Sequence, residues 1–199
     1  MTTTLTLKQT ERLRGQIAAV KRRLAAEKRR FGAYDDSGGW RYLPPKLYLQ
    51  LGDHAGGLRY VRWFDKNFAD DIGYPDFLFE WIILLFQNGR LKEAERKAVQ
   101  TYCGNTYLFD NFFGRPLVPV AKWEGSNLEM PDLAEQLPYA SQQPELADFA
   151  AWLGQFERTE QFATFAARFV ALRQQLQVAE GYETRGGLLD ELRALKTGF

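Results

Sequence analysis

Two residue types that carry much of protein chemistry are nearly missing from this chain. Its 199 residues include one cysteine, Cys103, and one histidine, His54. A single thiol excludes an internal disulfide framework. One Cys with one His cannot build a Cys/His zinc site, or any catalytic scheme that needs two histidines. No glycine-rich phosphate loop, GxSxG elbow or HExxH helix occurs. Long apolar runs are missing too. The longest, Trp81 to Phe86, has six residues, whereas a bilayer-spanning helix needs about 20. The opening Met1-Thr-Thr-Thr-Leu-Thr-Leu-Lys8 lacks the apolar core and cleavage site of a secretory signal. The lone thiol fits a reducing compartment, so a cytoplasmic protein is expected.

Net charge is also small, +1, but it is unevenly spread. Residues 1–31 hold nine Lys/Arg against two Glu, a local +7 that leaves −6 for the remainder. Within that segment Thr6 and Gln9 have the spacing of a capping box. Leu13, Ile17, Val20, Leu24 and Phe31 then form an apolar stripe on one face of a helix over 6–31. Lys21, Arg22, Arg23, Lys28, Arg29 and Arg30 occupy its other faces. A narrow seam with basic flanks can pack on the protein's own body, pair with a second copy, or meet an anionic surface.

What is abundant is aromatic side chain: 15% of residues, with 15 Phe, 9 Tyr and 5 Trp. Rings of that size need a core or a binding surface. Residues 32–45 carry three glycines and two prolines and read as a loop, one that packs because it holds Tyr34, Trp40 and Tyr42. Short amphipathic helices follow over 45–51, 55–68, 76–86 (Pro75 as a first helical residue) and 91–102, with a further short one in 105–113. Residues 115–144 contain five prolines and form a long loop, with Leu117–Val120 a candidate extended piece. Helices resume over 145–156 and 159–178, and a last one follows Gly186-Gly187. No sustained period-two alternation occurs. The expected class is all-α, with a basic N-terminal helix (1–31) and a single helical domain (32–199).

A degenerate repeat lies inside that domain. Gly52 and Gly89, 37 residues apart, are each followed five residues later by a small residue (Gly57, Ala94) and then by another apolar residue (Val61, Ala98). Glycine lets a helical hairpin reverse, and the small residue lets its helices approach. The stretch Gln87–Val99 resembles the central part of a tetratricopeptide repeat, and Leu78, Trp81 and Leu85 match the large apolar positions of that family's first helix. Ile82 and Thr106 depart from its small residue and its closing proline. The resemblance spans 45–114 and implies stacked helical hairpins used for protein–protein contact, without chemistry of their own. Three units are needed for a stable stack, which assigns 145–178 to a third pair.

Candidate chemistry is sparse. His54 precedes a helix and reads as a turn or capping residue, since a general base needs a partner in reach. Asp35-Asp36 and Asp70-Asp71 lie in glycine-flanked loops without calcium-loop spacing, so turns and caps explain them. Cys103 reads as a buried structural thiol. The rings of Tyr102, Tyr107, Phe109, Phe112 and Phe113, with Tyr60, Trp63 and Trp81, are mostly core. Tyr60, Trp63 and Tyr107 are expected to be exposed as interface anchors. The function expected is protein binding without catalysis, as an adaptor, regulator or neutralising partner, with no cofactor and no metal. Self-association through the N-terminal seam would fit. The alternative is nucleic-acid binding through Lys21, Arg22, Arg23, Lys28, Arg29 and Arg30. An enzyme using Asp, Glu, Arg and Tyr comes third.

Overall fold

A computed structural model describes residues 5–34 and 36–199, and all regular structure among them is helical. The chain divides into two compact units, Met1–Ala94 and Glu95–Phe199.

The first unit opens with α1 (Leu7–Phe31). Its capping box forms: the Gln9 amide donates to Thr6 Oγ1 (3.3 Å) and the Thr6 amide to Gln9 Oε1 (2.8 Å). Lys28, Arg29 and Arg30 fill the last turn, where positive charge complements the helix dipole. Leu13, Ile17, Val20 and Leu24 are buried. Leu13 and Ile17 pack with Leu47 and Tyr48 of α2 (Leu43–Leu51) and Tyr60 of α3 (His54–Asn67). Of the three fates open to the seam, it takes the first and packs on the protein's own body, which leaves it covered against a second copy. This differs from a helix 1–31 standing apart from one domain over 32–199: the apolar stripe draws α1 into the first unit, and the division falls further on. Phe31, expected in the stripe, is 53% exposed, with the Arg30 guanidinium over its ring.

A 3-10 turn over Trp40–Tyr42 runs directly into α2. Pro44 and Pro45 lie in the first turn of α2, where a missing N–H breaks no helical bond. The segment expected as loop to residue 45 is thus partly helical. Gly52 closes α2 at φ 67° and Gly89 follows α4 (Pro75–Gln87) at φ 68°. Both are left-handed positions that suit glycine, as the repeat predicts. Gly57 acts differently from expectation, facing α4 and not the preceding helix. A Cβ on Gly56 would lie 2.6 Å from Tyr48 of α2, and one on Gly57 would lie 2.4 Å from Leu84 of α4. Two successive glycines therefore let α3 approach two helices. Residues Phe77–Leu85 of α4 are buried throughout.

In the second unit, α5 (Leu91–Gly104, begun in the first) leads to α6 (Leu108–Phe112) and a long strap. The strap contains a 3-10 turn over Asn127–Glu129 and α7 (Pro131–Ala134). Leu117–Val120 has no regular structure, and Val118 is exposed. Pro144 opens a 3-10 turn before α8 (Ala147–Glu157), and α9 (Glu160–Val178) follows. Tyr102, Phe109, Phe162 and Phe169 form a ring cluster with centroids 5.3–6.2 Å apart. The final helix, α10 (Tyr182–Thr197), starts before Gly186-Gly187 rather than after them. Arg185 Nη1 donates to the Leu176 carbonyl at the end of α9 (2.7 Å), anchoring the first turn of α10 upstream of both glycines. Each glycine costs only about 1 kcal/mol in a helix interior.

Gly56→Ala is expected to lower stability by about 1–3 kcal/mol through overpacking against the capping Asp53 carboxylate and the Tyr48 ring. Gly15→Ala, with nothing within 4 Å of the added methyl, is expected to raise it by roughly 0.5–1 kcal/mol. Urea unfolding of the two variants beside the parent chain measures both signs.

Candidate functional site

The strongest polar assembly of the first unit centres on Arg41. Its Nε donates to Asp71 Oδ2 (2.8 Å) and its Nη1 to the Asp36 carbonyl (2.9 Å). The Asp36 side chain is inaccessible and also accepts from the Trp40 and Arg41 amides (3.0 and 2.8 Å). The Tyr42 hydroxyl donates to Asp71, the Gly73 amide donates to Asp71 Oδ1, and the Tyr60 hydroxyl donates to the Arg41 carbonyl (2.7 Å). The guanidinium lies over the rings of Tyr42 and Phe68. One arginine thus ties the 3-10 turn, the loop before α4 and the middle of α3 together. Burial by itself would raise the Asp71 carboxyl. The hydrogen bonds from Tyr42, Gly73 and Arg41, with the guanidinium charge, outweigh it and hold the carboxyl below its ordinary 3.8.

This assembly shows why the aromatic anchors were misplaced by sequence. Tyr60 and Tyr107, expected exposed, are 2% and 4% exposed, and Trp63 is half-buried. Each tyrosine hydroxyl has a partner inside: Tyr60 donates to Arg41, and Tyr107 accepts from the Val120 amide (3.1 Å). With its polar tip satisfied, the rest of a tyrosine is free to join a core. Three of the large side chains that reach solvent sit on the segments Arg41 joins: Trp40 (39% exposed), Ile72 (75%) and Tyr74 (45%). The Tyr74 ring packs edge-on against Tyr42 at 4.8 Å, and the Arg23 guanidinium lies 4.7 Å from the Trp40 ring centre. Sequence offered one signal for this site, the two acidic pairs in glycine-flanked loops. Asp36 and Asp71 are indeed its carboxylates, acting in turns and an ion pair; Asp35 lies outside the described residues.

Several cations of α1 meet rings. Lys21 Nζ donates to the Tyr48 hydroxyl (2.8 Å) and Lys28 lies over Tyr34. Arg23 also pairs with Glu27. All six basic residues singled out by sequence are exposed, Arg22 and Arg29 among them.

The second unit has its own buried cluster. Arg173 of α9 pairs with Glu129 of the strap and donates to the Trp123 carbonyl (2.8 Å), while the Trp123 amide donates back to the Arg173 carbonyl (2.9 Å). Lys122, buried, pairs with Glu124 and lies over the Tyr107 ring. Asn105 holds the strap through the Leu128 and Met130 carbonyls. Burial raises the Glu124 carboxyl. Glu129 is half-buried, which would raise it too, but the hydrogen bonds from Arg173 and the Gly125 amide together with the guanidinium charge outweigh that and lower it. These charges are engaged with one another and with backbone, so the cluster fastens the strap. Cys103 is buried and its thiol is pushed up to about 12, far from a reactive thiolate. His54 opens α3, and burial lowers its imidazole against the opposing charge of Asp53. The Asp53 carboxylate caps the Gly56 amide and is not positioned as a relay. Among the described residues no three His, Cys, Asp or Glu gather as metal ligands. None of the described helices is long and apolar enough to cross a membrane.

Comparison with known proteins found no matching family model, curated protein or solved structure.

Asp71→Asn is expected to cost about 1–3 kcal/mol at pH 7, the range for hydrogen bonds to charged groups. A carboxyl lowered on folding stabilises above its unfolded pKa and loses that contribution as pH falls through the folded one. The stability difference between parent and variant should therefore shrink below about pH 4, measured by denaturant unfolding across pH. Arg173→Ala is expected to destabilise by about 3–5 kcal/mol, because it leaves Glu129 unpaired. Limited proteolysis should then cut the strap first.

Proposed function

We propose that the protein is a non-catalytic protein-binding module, an adaptor, regulator or neutralising partner, working in the cytoplasm. The observation that carries the proposal is the exposure of Trp40, Ile72 and Tyr74 on segments clamped by Arg41. Large apolar side chains that are already immobilised bind a partner with little further loss of conformational freedom. Trp, Tyr and Arg dominate the energetics of protein interfaces, and Arg23 over Trp40 adds a guanidinium to the rim. The surface moves from Tyr60 and Tyr107 to side chains that stand outside the same clasp. The scaffold we propose is a set of helical hairpins similar to tetratricopeptide repeats. Its support is the pair of left-handed turn glycines, Gly52 and Gly89. A cytoplasmic setting rests on the lone unreactive thiol.

The test is affinity capture from native lysate at high salt after nuclease treatment, then titration of the identified partner with the purified chain. Trp40→Ala together with Tyr74→Ala is expected to weaken that partner by about 30-fold or more, the scale of a hot spot worth 2 kcal/mol. The thermal midpoint should move by only a few degrees. An unchanged dissociation constant would remove this surface from the account, and capture of nothing at high salt would remove the function.

A further inference from the structure

The outermost ridge of α1, turned away from the protein, carries two arginines that neither the core nor the Trp40 surface uses, Arg22 and Arg29. The buried stripe at Leu13, Ile17, Val20 and Leu24 fixes the rotation of the helix. At about 100° per residue, Arg22 and Arg29 stand opposite that stripe, on the outermost ridge. Lys21 and Lys28 lie on one flank and Arg23 and Arg30 on the other. Each column repeats after seven residues, about 10.5 Å along the axis. The residues between the ridge arginines and before them are Gly15, Ala19 and Ala26, all exposed, so the two guanidinium groups stand clear.

We propose that this face binds B-form duplex DNA in the major groove, with the ridge arginines pointing to the groove floor and the flanking cations meeting the phosphates of both strands. Four features of the face select this occupant. Its ridge offers no large apolar side chain, whereas the buried centre of a protein interface is apolar; a nucleic-acid interface is polar and strongly positive. An amphipathic helix enters a membrane surface through its apolar stripe, and here that stripe is buried in the chain. Single-stranded nucleic acid binds through open ring faces, but the nearby rings of Trp40 and Phe31 carry the guanidinium groups of Arg23 and Arg30. An RNA duplex has a major groove too deep and narrow for a helix, whereas the B-form groove is about 12 Å wide and admits one. Arg22 and Arg29 touch none of the residues on which the protein-binding proposal rests, so the two readings stand or fall separately.

The measurement is fluorescence anisotropy of a labelled 24-base-pair duplex of mixed sequence against the full chain from 50 to 300 mM salt. Arg22→Gln/Arg29→Gln is the test variant, and Arg193→Gln on exposed α10 the control. The parent chain is expected to bind with an affinity that falls linearly on a log–log salt plot. The double variant should bind about ten-fold more weakly at 100 mM salt with a slope near the parent's, and the control should be unchanged. Circular dichroism melts of all three should coincide. Absence of duplex binding at 50 mM salt overturns the proposal. So does equal or tighter binding of a single strand, an RNA duplex or poly-glutamate, the last pointing instead to an acidic protein partner. An unchanged affinity in the double variant overturns it as well.

Discussion

A guanidinium drawn partly out of water, as that of Arg41 is with 21% of its side chain exposed, is held by the carboxylates and carbonyls that meet it. Arg41 meets Asp36 and Asp71 at once, and the constraint propagates outward. The 3-10 turn holding Arg41 continues without a break into α2, so fixing the arginine fixes where α2 begins. The position of α2 places Leu47 and Tyr48, which receive Leu13 and Ile17 of α1. The Tyr60 hydroxyl reads the same point from α3. A segment with three glycines would otherwise be the loosest part of this unit. It is instead the part with the most charge-assisted contacts, and those are the stronger hydrogen bonds.

The second unit meets a similar difficulty with a similar device. Its strap runs some thirty residues with little regular structure, and its backbone groups need partners. Arg173 supplies several together, a carboxylate pair and a two-way backbone exchange with Trp123. Asn105 supplies two more. In both units one arginine closes an irregular segment onto a helix by combining side-chain and carbonyl contacts, which a lysine ammonium, lacking the planar fork, does less specifically.

The helices were legible where local chemistry decides them. The Thr6/Gln9 box, the α1 stripe as far as Leu24, Pro75 at the start of α4, and the stops at Gly52 and Gly89 all stand as the spacing predicts. What escaped the sequence was decided by distant partners. Tyr60 and Tyr107 look like exposed anchors until the Arg41 carbonyl and the Val120 amide, 19 and 13 residues away, take their hydroxyls. Gly186-Gly187 reads as a helix start until Arg185 reaches back to α9. Of the candidate site, the acidic pairs were visible and the arginine between them was not, because periodicity carries no information about which loop cation a carboxylate will meet. Trp40 was noted as a packing residue, and its partial exposure depends on that same unread contact.

The exchange between Trp123 and Arg173 joins residues fifty positions apart, and this has a bearing on how the chain leaves the ribosome. At about 5–20 residues per second, the strap waits several seconds after Trp123 is made before its anchor is translated. During that interval the amide and carbonyl of Trp123 lack their native partner, and water must take its place. The first ninety-four residues, a compact unit of their own, are all translated before Trp123 is.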